Sequence, residues 1–261
     1  IPFLTGIGIV EYGWRATYSI TAAVYLVIAL PIAFFIRESP WRLKTRHSTT
    51  VEERQFPLSE VEAIAWISVA VVFCCNCMSV PIVHLVPLLT DQGSTVESAT
   101  SVLMVLMFAG VVGRVLGGRL GDLIGALPTY MLMSVGQTFF VFWFPHVDSP
   151  FALYALAICF GFTYSGVMSS ILVCTRMMVS ARFGARAMSM TSFFGWGGMG
   201  LGGFIGGYLY DLNGSYFWSY TFASLMGVTN LLILGLFALR IRSRQKAMIA
   251  SASSSRAAAT L

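Results

Sequence analysis

Charge is what this sequence has least of. Of its 261 residues only 10% are Asp, Glu, Lys or Arg, against about 25% in a soluble domain. Such a chain cannot cover a water-facing surface, and 57% of its residues are hydrophobic, so lipid is its expected solvent. Acidic residues end early, with no Asp or Glu after Asp211. Metal-binding patterns are missing too. Cys74, Cys75, Cys77, Cys159 and Cys174 all fall in apolar runs. The cluster Cys74-Cys75-Asn76-Cys77 lacks the paired spacing and second ligand set of a zinc site. These are expected to be packing thiols, with no metal, cofactor or disulfide framework. The chain opens on Ile1, already mid-pattern, without a charged region and cleavage site. The expectation is a fragment whose N-terminal part is missing.

What the sequence does have is long apolar runs. A hydrocarbon core of about 30 Å takes about 20 apolar helical residues. Such runs lie at about 16–36, 61–89, 98–118, 128–144, 151–175, 187–210 and 217–239, with residues 1–10 reading as the tail of an earlier span. The breaks between them carry turn chemistry: Glu11-Tyr12-Gly13, Asp91-Gln92-Gly93, Pro145 to Pro150, and Asp211 to Gly214. Lipid leaves backbone groups no outside partner, so long runs are expected as helices. A membrane barrel would instead show short alternating strands.

The basic residues are unevenly placed. Arg37, Arg42, Lys44, Arg46 and Arg54 follow the first span, and Arg119 follows the third. Arg176, Arg182 and Arg186 follow the fifth, and Arg240, Arg242, Arg244, Lys246 and Arg256 follow the seventh. These are alternate connections. The opposite ones, 90–97, 145–150 and 211–216, hold no Lys or Arg, and only Arg15 breaks the pattern. The positive-inside rule makes the basic side cytoplasmic. The net charge of +5 therefore orients a membrane protein and implies no nucleic-acid partner. The organisation expected is the end of a helical half at 1–36, a cytoplasmic linker at 37–60, a six-helix domain at 61–240 and a disordered tail at 241–261.

Residues 193–211 read FFGWGGMGLGGFIGGYLYD. Gly195, Gly197 and Gly200 satisfy G-x-G-x-x-G. A dinucleotide site would need a strand before them and an acidic residue about 20 positions beyond. The preceding Met188 to Phe194 is a poor strand, and no acid follows Asp211. A helix is the better reading: Gly198/Gly202 and Gly202/Gly206 are G-x-x-x-G pairs, which let helices approach closely in lipid. The third span carries the matching series Gly113, Gly117 and Gly121.

That third span and its exit read FAGVVGRVLGGRLGDLIGALP. Gly118, Leu120, Gly121, Asp122 and Gly125 match in order the cytoplasmic signature G-x-L-[AG]-D-[RK]-x-G-[RK]-[RK], and Leu123, Ala126 and Leu127 replace its basic positions. Here the chain resembles the major facilitator superfamily. Gly13-Trp14-Arg15, Arg37-Glu38-Ser39-Pro40 and Asp211 to Tyr216 resemble further passages of that family. The resemblance implies an all-α polytopic bundle, with the seven spans standing as helices six to twelve of twelve. The missing half would be the partner of this one. The pattern of His84, Asp91-Gln92-Gly93, Ala99, Gly113-Arg114 and Gly117 is most similar to the monocarboxylate transporter and oxalate–formate antiporter branch. By the same resemblance the glycine spans are helices eight and eleven, along the boundary between the halves. Their glycines would be either a surface on which the halves rock or ordinary tight packing.

Arg114 is the sharpest candidate site. It lies about 12 Å inside Asp122 at 1.5 Å per residue, where a charge costs about 2.5 kcal/mol or more without water or a partner. The resemblance makes it the ligand of a substrate carboxylate, a role that the bidentate guanidinium fork suits. The acid that the branch carries four residues earlier is Gly110 here, and the sixth span shows no intramembrane lysine. Snorkelling or bracing of the gate is the other reading of Arg114. Arg119 and Asp122, with Gly118 and Gly125 around them, would lock the inward gate. A purely topogenic Arg119 is the alternative. His84, between Pro81 and Pro87, offers a proton relay or an interfacial hydrogen bond. Asn76, Tyr164, Ser165, Ser169 and Ser170 lie in spans that by resemblance line the cavity, as substrate contacts or as helix–helix hydrogen bonds.

The function expected is secondary transport of a small solute, such as a monocarboxylate or other organic anion, with a coupling proton or counter-substrate. An intramembrane serine protease would need a serine and histidine brought together, with Ser165 and His84 as the candidates. A non-transporting polytopic protein is the third class.

Overall fold

A computed structural model describes residues 2–35, 56–180 and 182–259. These residues are almost wholly helical, and none of them lies in a strand. The elements are α1 (Pro2–Phe35), α2 (Glu60–Asp91), α3 (Val96–Ile124), α4 (Ala126–Trp143), α5 (Pro150–Met177), α6 (Gly184–Asn213) and α7 (Phe217–Ala259), with one 3-10 turn at Phe144–His146. Residues 37–55 of the expected linker lie outside the described residues.

Local chemistry sets the helix ends. Ser59 caps α2 by accepting from the Glu62 amide at 3.2 Å, and Thr95 caps α3 through the Ser98 amide at 3.2 Å. Both satisfy a donor that the first turn cannot pair internally. Gly93, Gly125 and Gly214 take φ of 89°, 94° and 63°, a region that other residues adopt at a cost. Gly13 (φ 76°, ψ 157°) kinks α1 between the expected tail of an earlier span and the first full one. At the C-terminus α7 stays helical to Ala259, through the segment expected to be disordered. Arg, Gln, Lys, Met and Ala dominate residues 240–250, and these are strong helix formers.

Among the described residues, five stretches are long and apolar enough to cross a membrane: Glu11–Phe35, Glu60–Asp91, Val96–Ile124, Pro150–Met177 and Phe217–Ala250. The chain is an all-α polytopic membrane bundle. The other two expected spans are present as helices but are less apolar. Helix α4 buries Thr129, Tyr130, Ser134 and Gln137, and α6 is built on glycine.

The bundle is organised around two close helix pairs, α3 with α5 and α2 with α6. In the first, a methyl group added to Gly117 would sit 2.8 Å from the Gly166 Cα, and one on Gly113 would enter the backbone of Phe162. In the second, a methyl on Gly198 would meet the Val72 carbonyl at 2.6 Å, and one on Gly202 the Asn76 Cα at 2.7 Å. Gly206 abuts the His84 ring in the same way. Gly113, Gly117, Gly198, Gly202 and Gly206 thus make their close contacts inside this bundle, a proximity that both a rocking surface and tight packing require. Gly121 belongs to neither seam, having nothing within 4 Å.

A polar layer ties the remaining helices. Tyr130 donates its hydroxyl to Asn230 Oδ1 at 3.1 Å, and Asn230 donates to Ser134 Oγ at 3.2 Å. Gln137 donates to Cys74 Sγ at 3.3 Å. Bonds of this kind between membrane helices are worth about 0.6 kcal/mol each on average.

Substitution to leucine separates seam from surface. In the full-length protein Gly113→Leu is expected to cost at least about 3 kcal/mol by overpacking against backbone, and Gly121→Leu less than about 0.5 kcal/mol. Thermal unfolding in detergent measures both. Equal losses would contradict the seam.

Candidate functional site

Helices α3 and α5 bring three of the sequence candidates together. Arg114 is exposed on α3, one residue past the seam glycine Gly113. Its backbone carbonyl accepts from Ser169 Oγ of α5 at 3.3 Å. Tyr164, half-buried on α5, is within electrostatic reach of both the Arg114 guanidinium and Cys75 of α2. Its ring stacks on Phe160 with centroids 6.0 Å apart and planes 3° apart. Arg114, Tyr164 and Ser169 thus offer a cation, a hydroxyl on an aromatic face and a second hydroxyl.

No carboxylate pairs with Arg114 among the described residues, where the ion pair found is Arg240 with Glu62. Packing explains the missing partner four residues earlier. A Cβ built on Gly110 would lie 2.9 Å from Ser165 Oγ, 3.3 Å from Ser165 Cβ and 3.4 Å from the Gly161 carbonyl oxygen. A side chain at 110 would crowd Ser165 and require it to shift. The seam thus crowds the position from which an acid of α3 would face Arg114.

The other four candidates, Asn76, Ser165, Ser170 and His84, are buried within the bundle. Asn76 is 2% exposed, donates to the Val72 carbonyl at 2.8 Å and underlies Gly202. Ser165 is 6% exposed and faces Gly110, while Ser170 donates to its own helix at the Gly166 carbonyl, 2.8 Å away. His84 is 9% exposed, with Nε2 2.8 Å from the Gly203 carbonyl oxygen and its ring 5.6 Å from that of Tyr216. The ring needs the space that Gly206 and Gly207 leave open. The glycine stretch of α6 thus seats a histidine of α2. His84 and Ser165 are engaged at different seams and do not form a serine–histidine pair.

The gate candidates occupy the end of α3. Arg119 is exposed beside an apolar groove of about 580 Å³ between α3, α4 and α5, lined also by Leu116, Leu123, Leu132 and Phe162. Asp122 is exposed, and no ion pair joins it to Arg119 among the described residues. Gly118 has open space around it, while Gly125 makes the turn into α4. The contacts at the basic end of the bundle come from residues that the sequence did not single out. Glu60 Oε1 accepts from the Ser180 amide at 2.6 Å, and Glu62 meets Arg240 Nε at 3.1 Å. The S-x-x-E pattern of Ser59 to Glu62 marks a helix start. It carries no sign of partners 120 and 178 residues away.

The family model for the Major Facilitator Superfamily matches the chain twice, over residues 1–176 and over residues 65–260. No curated protein matches it.

The crowding at Gly110 is testable as a coupled pair. Gly110→Ala is expected to lose about 1–3 kcal/mol, and adding Ser165→Gly should recover part of that loss. Detergent melting curves of the full-length single and double variants give the coupling. Additive losses would mean that the two residues do not meet.

Proposed function

Because the chain belongs to the Major Facilitator Superfamily, and is thereby a membrane transporter, we propose that it carries a small organic anion, with Arg114 as the group that binds the anion. The single observation behind this reading is an arginine inside an apolar helix with no carboxylate partner among the described residues. An intramembrane charge is stable only with a counter-charge, a polar network or water. Ser165 and Gly161 of α5 crowd the position from which an acid of α3 could have supplied that counter-charge. The substrate is left to supply it. A carboxylate suits the guanidinium through two parallel charge-assisted hydrogen bonds, with Tyr164 as a hydroxyl donor beside it and Ser169 holding the Arg114 backbone. A monocarboxylate matches this donor set.

The proposed cycle is alternating access with a proton or a second anion as the coupled species. Arg119, Asp122, Gly118 and Gly125 are the gate at the basic end of α3, which the distribution of Lys and Arg places on the cytoplasmic side together with the linker and the C-terminus. Asn76, His84 and Ser165 contribute as seam residues that keep α2, α5 and α6 in register.

The test is transport by the full-length protein in liposomes. Arg114→Ala is expected to reduce uptake of a small monocarboxylate at least 100-fold at equal membrane insertion. Arg114→Lys, which keeps the charge and loses the fork, should fall in between. Unchanged uptake in Arg114→Ala would overturn the assignment.

A further inference from the structure

Helices α2 and α6 touch along the glycines and then part. Where α6 presents Gly195, Gly198 and Gly202, its backbone lies against Val71 to Asn76. Toward its N-terminus it presents Phe194, Met190, Arg186 and Phe183 at the same helical spacing. The larger side chains hold the helices apart, and a groove of about 570 Å³ opens between them. Ile64, Val179 and Ala187, with Phe183 packed against them, form a small cluster at that end.

The groove has an unusual polarity for a helix seam. Its α2 wall runs from Val61 to Phe73, about 18 Å at 1.5 Å per residue, and is apolar except for Ser68. Ser68 is 4% exposed, and its Oγ has no hydrogen-bond partner among the described residues. A buried hydroxyl without a partner is costly. Its usual i−4 carbonyl acceptor is not taken. The only charge lining the groove is Arg186, exposed and held over the Phe183 ring at 5.6 Å. Glu60 and Glu62, the acids at the start of α2, are engaged with Ser180 and Arg240.

We propose that this groove is a binding site for an anionic phospholipid of the surrounding bilayer. The phosphate would meet Arg186 at the groove's mouth. One acyl chain would lie along the apolar wall from Val61 to Phe73. An apolar length of about 18 Å matches half of a hydrocarbon core about 30 Å thick, and a basic residue at the mouth of an interhelical groove selects anionic headgroups. The site shares no residue with the Arg114 cluster and stands independently of the substrate proposed there. Its occupant would wedge the open end of the same helix pair that the glycines close.

The experiment follows thermal stability of the full-length detergent-solubilised protein titrated with phosphatidylglycerol, phosphatidylcholine or soluble glycerol phosphate. Phosphatidylglycerol is expected to raise Tm by about 3 °C or more, with little change from the other two. Arg186→Gln should abolish the rise, and so should Val69→Trp, which fills the groove without altering charge. Both substituted side chains face the groove, so Tm without lipid should stay near the parent value. Three results would overturn the proposal: equal shifts from both lipids, a full shift from glycerol phosphate alone, or a phosphatidylglycerol shift that survives both substitutions. No shift at all would do the same, since the groove would then be closed in the whole protein.

Discussion

The bundle rests on backbone coming close to backbone. In lipid there is no hydrophobic gain from pressing two apolar helices together, so association depends on dispersion contacts and on polar groups that find partners. The seams α3–α5 and α2–α6 meet that requirement with glycine. Gly113 and Gly117 bring α3 against Phe162 and Gly166, and Gly198 and Gly202 bring α6 against Val72 and Asn76. Every other feature of the molecule is placed relative to these two contacts.

Position and chemistry are linked through them. Because α3 and α5 are so close, a side chain at Gly110 would crowd Ser165, and Arg114 one turn further on pairs with no carboxylate among the described residues. Because α2 and α6 close at Gly202 and Gly206, His84 is held by the Gly203 carbonyl and surrounded by glycine. The same pair separates where Phe194 and Phe183 replace glycine, leaving an apolar groove with the Arg186 guanidinium at its mouth. One physical device, the presence or absence of a Cβ, thus decides where the bundle is solid and where it can accept a molecule.

Much of the architecture was legible beforehand. The apolar runs marked the helices, and Gly13, Gly93 and Gly214 marked turns, because positive φ and apolar length are local properties. Arg114 was legible for the same reason, as a charge in an apolar run. The division among the polar residues was not. Asn76, His84 and Ser165 have the same composition and span positions as a cavity lining would, and their burial depends on which neighbouring helix covers them. Glu60 and Glu62 were invisible as contacts because Ser180 and Arg240 are far away in sequence.

By itself the sequence determined that this chain lives in a membrane, that it crosses as helices, and that its basic residues gather on alternate connections. These follow from the cost of charge and of unpaired backbone in hydrocarbon, which acts residue by residue. Only the tertiary structure decided which helix each glycine faces, which polar side chains are spent on packing, and that Arg114 pairs with no carboxylate among the described residues. Those outcomes depend on distances between segments far apart in the chain, and nothing local to Gly110 or Ser165 encodes the 2.9 Å between them.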